Sequence, residues 1–188
     1  MKNFNNIIIF PTDTVYGMGA PWYDTQSLNK IYQLKKRSLK KPMALLFYNL
    51  KQIENLVEIN NQIVKIYKQF WPGPLTLIVK AKKQYFRITQ ESKIGIRMPN
   101  HPIALEILKK EGPLKTTSVN KSGEKPINDF QIIKNIYQHE VKKIFPNNYT
   151  SSNTPSTVIE INDNNFKILR TGSINLEKFT ETNKKLFL

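Results

Sequence analysis

Apolar and polar residues alternate in short blocks along the chain, each block bounded by a turn signal. Residues 7–10 form a brief continuous apolar run, the pattern of a buried strand, leading into Pro11-Thr12-Asp13-Thr14-Val15-Tyr16-Gly17. Asp24 stands where an N-cap belongs, ahead of Leu28, Ile31, Tyr32 and Leu34 at helical spacing, and this helix is expected to end near Lys35-Lys36-Arg37. Residues 43–48 predict a strand. Residues 50–70 predict a largely helical stretch, stopped by Trp71-Pro72-Gly73-Pro74. Strands follow at 75–80 and 94–97, then a helix over 103–110 behind His101-Pro102, and a strand over 114–117. Asp129 caps a helix reaching Tyr137, and 158–161 with 166–169 read as a hairpin. A weakly amphipathic helix with Leu176, Phe179 and Leu186 closes the chain. Strands interleaved with helices predict an α/β (α+β) fold, a sheet with helices packed on it.

A length of 188 residues fits a single domain over 1–188, and 39% apolar residues are enough to bury a core. No run of 18 apolar residues exists, so no spanning helix is expected, and the N-terminus lacks the features of a secretory signal. With no Cys, there is no disulfide framework, thiolate metal site or cysteine nucleophile. A cytoplasmic protein is expected. The net charge of +15 favours polyanionic partners such as nucleotides or RNA. It also fits a Lys-rich solvated surface whose composition has drifted. All but four of the 29 basic residues are Lys. The arginines therefore carry more information, because a planar fork grips carboxylate or phosphate better than an ammonium does.

Polar, hydroxyl-rich segments follow the predicted strands, where open sheets usually bind ligands. Residues 11–19 offer Thr12, Asp13 and Thr14 beside Gly17 and Gly19, a small polar pocket or an ordinary turn. Lys35-x-Arg37 and Lys40-Lys41-Pro42 could clamp phosphates, or could simply be cations at a helix C-terminus. Arg97 ends an apolar strand before a proline turn, placing it in a cleft or in a surface ion pair. Residues 116–123 carry Thr116, Thr117, Ser118, Asn120 and Ser122, suited to phosphate or amino-acid hydrogen bonds, without the spacing of a P-loop. Ser156 and Arg170 sit at the two ends of the predicted hairpin. His101 and His139 are not at metal-ligand spacing and read as a turn residue and a surface residue. An enzyme built this way would work by positioning and charge stabilisation.

In this order, the stretches at 11–17, 35–37, 71–76, 118–123 and 155–158 resemble the YrdC-type threonylcarbamoyl-AMP synthase family, and the resemblance runs from about residue 7 to residue 174. It implies a twisted mixed sheet flanked by helices, with a basic concave cavity, in the short single-domain form. It implies formation of L-threonylcarbamoyl-AMP and pyrophosphate from L-threonine, bicarbonate and ATP, with magnesium accompanying ATP and no protein-ligated metal. Other proteins would then pass the threonylcarbamoyl group to tRNA. By resemblance, Thr14, Arg97, Ser118 and Ser156 would hold threonine. Lys35, Arg37, Lys41, Asn120, Asn128 and Arg170 would line the ATP site, with Lys35 and Arg37 catalytic. Members usually carry a helix before the first strand, whereas only ten residues precede Pro11 here; Ser38 and Glu160 stand where proline and aspartate are usual. The other readings are an RNA-binding module without catalysis, or a paralogue acting on another small substrate.

Overall fold

The computed structural model describes residues 6–162 and 165–174. In chain order these give β1 (Ile8–Phe10), β2 (Gly17–Pro21), α1 (Thr25–Leu34), β3 (Ala44–Leu46), a 3-10 turn (Leu50–Gln52), α2 (Asn61–Phe70), β4 (Leu75–Lys80), α3 (Lys83–Thr89), β5 (Lys93–Arg97), α4 (Pro102–Glu111), β6 (Leu114–Ser118), α5 (Phe130–Tyr137), β7 (Lys143–Ile144), β8 (Thr157–Asn162) and β9 (Asn165–Arg170). All nine strands join one mixed sheet in the order β7-β1-β2-β6-β3-β5-β4-β8-β9. The expected α/β architecture with a mixed sheet is therefore present.

Period-two alternation divides the sheet into two faces. On one face, Leu45, Leu77, Ile96 and Ile159 are fully buried against Ile63 and Ile66 of α2 and Tyr85 of α3. Met18 and Ala20 continue that face and pack with Leu28 and Ile31 of α1 and Ile133 of α5. On the other face, Ile8, Phe10, Leu46 and Leu114 take Ala104, Ile107 and Leu108 of α4. The single helix α4 covers only part of that second face. Beside it the sheet stays open, and the positions that alternate with the core, among them Ala44, Thr76, Gly95, Arg97 and Thr116, line a cavity.

The expected caps form. Asp24 Oδ1 accepts from the Ser27 amide at 3.0 Å, and Asp129 Oδ1 from the Ile132 amide at 2.8 Å. Four parts of the chain differ from expectation. Gly17–Pro21 is a strand rather than part of a loop, paired with both β1 and β6. The stretch 50–70 is not one helix: Asn49 caps a 3-10 turn, Val57 bridges to Ala81, and Asn60 starts α2 afresh by accepting from the Ile63 amide at 3.0 Å. The short helix α3 and the two-residue β7 had no clear periodic signal. The closing helix with Leu176, Phe179 and Leu186 lies outside the described residues.

Candidate active site

The open part of the second face holds a cavity of about 310 Å³, walled by β2 through β6, the turn after β1, and the residues leading into β8. Arg37, Arg97 and Arg170 all reach its wall, and no carboxylate lines it among the described residues. Arg97 is buried at its deep end. Its Nε donates to the Gly73 carbonyl at 3.1 Å, Nη1 to Thr14 Oγ1 at 2.8 Å, and Nη2 to Asp13 Oδ1 at 2.5 Å. Burial lowers the pKa of this guanidinium, and the adjoining Asp13 carboxylate opposes that shift. Two of its five N–H donors have no partner among the described residues.

The hydroxyl chemistry beside Arg97 is fixed by the hydrogen-bond order. Thr12 Oγ1 donates to the Val15 carbonyl at 2.7 Å, so it must accept from Thr14 Oγ1, 3.0 Å away. Thr14 thus gives its only hydrogen to Thr12 and accepts from Arg97, and towards the cavity it offers only a lone pair. A protonated or neutral amine is the natural complement. Ser118 Oγ likewise donates to Asn120 Oδ1 at 2.6 Å and is left with acceptor capacity. Ser156 is buried, and its Oγ accepts from Arg170 Nη2 at 3.1 Å and lies 2.8 Å from Thr76 Oγ1.

The other end is more open. Arg37, half-buried, donates Nε to the Lys41 carbonyl at 3.0 Å and Nη2 to the Pro42 carbonyl at 2.9 Å, which holds the turn after α1 closed. Arg170 donates Nε and Nη2 to the Ser156 carbonyl at 3.0 and 2.9 Å. Among the described residues, neither has a partner for Nη1. Burial lowers the pKa of each, and for Arg170 the nearby Arg37 charge adds to the effect. Uncompensated cations on a concave wall favour an anion carrying more than one charge.

Six of the ten expected residues meet on this wall: Thr14, Arg37, Arg97, Ser118, Ser156 and Arg170. Lys35 is set differently from the expected direct contact. It is fully buried, and its ammonium donates to the carbonyl of Ser118, the carbonyl of Asn120 at 2.6 Å and Asn120 Oδ1 at 3.1 Å. In this arrangement Lys35 pins the turn after β6. Burial, then the charge of Arg37, brings its pKa down to about 8. Asn120 completes that turn by donating Nδ2 to the Lys121 and Glu124 carbonyls. Asn128 Oδ1 accepts from the Tyr16 amide at 3.0 Å, fixing the start of β2. Lys41 is exposed, off the wall, and its ammonium has no partner among the described residues. Thr76 and Gly95, not singled out from sequence as ligand-facing residues, also line the cavity, as does Thr117 of the hydroxyl-rich stretch 116–123. The parity of Thr76 along β4 and of Gly95 along β5, shared with Arg97, was the available signal, whereas Thr117 has the parity of Met18.

A second concavity of about 470 Å³ near the 3-10 turn is lined by Leu50, Glu54, Glu58, Ile59 and Lys82. Two carboxylates against one ammonium make it a poor anion site, so the arginine-walled cavity is the candidate site.

The sequence profile of the Sua5/YciO/YrdC domain, described as telomere recombination, matches residues 3–172. The chain belongs to this family. The threonylcarbamoyl-AMP synthase of Coxiella burnetii (strain RSA 493) is 31% identical over 156 residues, 81% of this chain and 84% of that protein. The threonylcarbamoyl-AMP synthase of Bacillus subtilis is 32% identical over 179 residues, 93% of this chain and 52% of that one. A crystal structure of Pyrococcus abyssi Sua5 complexed with L-threonine matches with a TM-score of 0.86 at 29% identity, covering 94% of this chain and 53% of that chain. The chain thus spans about half the length of the Bacillus and Pyrococcus family members and most of the Coxiella one.

Proposed function

We propose that this family member is a threonylcarbamoyl-AMP synthase, a nucleotidyltransferase joining L-threonine, bicarbonate and ATP into L-threonylcarbamoyl-AMP with release of pyrophosphate. The supporting observation is a cavity with three arginines, no lining carboxylate and a hydroxyl at its deep end that can only accept. The threonine carboxylate takes the two free donors of Arg97, its amine faces Thr14, and Ser118 and Ser156 bound the remaining space. The triphosphate lies towards Arg37 and Arg170, with Lys41 at the rim. Lys35, Asn120 and Asn128 hold the surrounding turns in place.

The neutral amine nitrogen bonds to the carbon of bicarbonate, from which a C–O bond breaks and water leaves, or to the carbon of carbon dioxide derived from it, with loss of the amine proton; either route gives a carbamate. A carbamate oxygen then attacks the α-phosphorus, the bond to the bridging β-phosphate oxygen breaks, and pyrophosphate leaves with the electron pair. Arg37 and Arg170 neutralise charge that grows on the phosphates, a contribution of several kcal/mol in comparable sites. Arg97 and Thr14 hold the amine in line with the phosphorus. Among the described residues no group of three or more His, Asp or Glu side chains could hold a metal. Magnesium, in this reading, enters on the nucleotide as part of the substrate. The product is a cytoplasmic acyl donor, which other proteins transfer to a tRNA adenosine.

The test is to incubate the purified protein with L-threonine, bicarbonate and magnesium–ATP and to follow pyrophosphate and the acyl-adenylate mass. Both must depend on threonine and bicarbonate together. ATP turnover indifferent to threonine would point instead to a paralogue with another substrate.

A further inference from the structure

We propose that Thr76 is a specificity-determining residue, reading the side-chain hydroxyl of the amino-acid substrate jointly with Ser156; the inference rests on the synthase reading above. The segment Trp71-Pro72-Gly73-Pro74-Leu75-Thr76 has no role in the steps already described, yet it braces the deep end. The Gly73 carbonyl accepts from Arg97 Nε, the Gly73 amide donates to the Met98 carbonyl at 2.8 Å, and the Pro74 carbonyl accepts from the Thr157 amide at 3.0 Å. This bracing sets Thr76 on the cavity wall. The register Leu77↔Ile96 places it opposite Arg97, and it pairs with Val158 on β8.

Thr76 is buried, and among the described residues its Oγ1 has one partner, Ser156 Oγ at 2.8 Å. Ser156 Oγ also accepts from Arg170. The two hydroxyls hold two hydrogens and four lone pairs. One hydrogen and one lone pair serve their mutual bond, and Arg170 occupies a second lone pair. Whichever hydroxyl donates, the pair retains one hydrogen and two lone pairs for a ligand. Of the groups described above that surround Arg97, none other has both. Thr14 can only accept, Arg97 can only donate, and Thr12 Oγ1 is occupied by Val15 and Thr14. A substrate hydroxyl gives one hydrogen bond and receives others, so the Thr76–Ser156 pair is its complement. A hydroxyl-free analogue would leave that pair without its partner in a buried site, the situation in which discrimination is strongest.

Two neighbours fit the same role. A Cβ on Gly95 would stand 3.0 Å from Thr76 Cγ2 and 3.2 Å from Ile78 Cδ1. The Thr76 methyl thus rests against Gly95, and its hydroxyl turns towards Ser156. Val158, beside Thr76 on the wall, supplies an apolar contact for a substrate methyl, which L-threonine has and L-serine lacks.

The experiment compares kcat/KM for L-threonine and for L-2-aminobutyrate, which lacks only the hydroxyl, in the wild type, Thr76→Val and Thr76→Ser. The wild type should prefer threonine, and Thr76→Val should shrink that preference by at least about tenfold, through the amino-acid KM, with the KM for ATP unchanged. Thr76→Ser, which restores a hydroxyl, should restore the preference. Equal losses for both amino acids in Thr76→Val would make Thr76 mere scaffolding and overturn the inference while leaving the synthase reading intact. Wild-type enzyme with no preference for threonine over 2-aminobutyrate would overturn it even if Thr76→Val fails to fold. Absence of any threonine-dependent pyrophosphate release would instead bring down the synthase reading, and this inference with it.

Discussion

The two ends of the cavity solve the problem of holding an anion in opposite ways. At the deep end, Arg97 is buried, neutralised by Asp13 and held by Thr14 and Gly73 before any ligand arrives. At the open end, Arg37 and Arg170 have no carboxylate partner among the described residues, where they bond to backbone carbonyls and the Ser156 hydroxyl. A neutralised, rigid fork selects by geometry and is little affected by salt. Uncompensated cations near solvent attract by charge and are screened. Such a division suits a small zwitterion at one end and a triphosphate at the other.

The largest effect should come from breaking the deep end. Arg97→Met leaves the Asp13 carboxylate without its ion-pair partner and should lower unfolding free energy by about 3–5 kcal/mol, read by urea denaturation. Adding Asp13→Asn should recover part of that stability and none of the threonine binding. If the single and double variants are equally stable, the pair is not the deep end's anchor. Arg37→Ala should behave in the opposite sense. Its fold should lose only about 1 kcal/mol, for two hydrogen bonds to exposed turn carbonyls, while product formation falls about 10²–10³-fold. A stable variant with full turnover would remove Arg37 from the reaction.

Lys35 links the two ends, and its effect should depend on pH. Its folded pKa of about 8 lies below the ordinary 10.5, so between those values the unfolded chain holds a proton that the folded chain has released. Its contribution to stability therefore rises with pH across that window. Nucleotide binding runs the other way. Phosphates favour the ammonium, and losing a proton leaves two N–H groups for the three acceptors on Ser118 and Asn120. ATP affinity should hold below pH 8 and weaken severalfold as pH rises through it. In Lys35→Met the dependence should vanish, and a slope unchanged in that variant would assign it elsewhere. The smallest effect belongs to Lys41→Ala. This exposed cation should matter by about twofold to threefold in ATP affinity at low salt, and not at all above about 0.5 M.

Much of this division could be read from the residues alone. Three of the four arginines fell within motifs, and the structure brings those three to one cavity. Apolar runs located the central strands because those strands are buried on at least one face. β2 was missed because Gly17-Met18-Gly19-Ala20-Pro21 has the composition of a turn. Its glycines are required by the sheet instead: a Cβ on Gly17 would lie 2.7 Å from Thr116 Cγ2, and one on Gly19 would lie 2.6 Å from Thr116 Oγ1. The helix expected over 50–70 breaks where Asn49 and Asn60 cap separate segments, a local signal outweighed by the apolar count. Lys35 shows the deeper limit. Its place in a Lys-x-Arg motif suggests a ligand contact, and only the three-dimensional return of the Ser118–Asn120 turn reveals three protein acceptors around its ammonium.

The most direct measurement is calorimetric titration of L-threonine and of magnesium–ATP at about 50 mM and about 300 mM salt, the range over which surface charge is progressively screened. ATP affinity should fall roughly tenfold across that range while threonine affinity changes less than about twofold, with threonine preferred over serine at both. Equal salt slopes for the two ligands, or threonine binding that fades as steeply as ATP binding, would contradict the division into a neutralised end and a charged end.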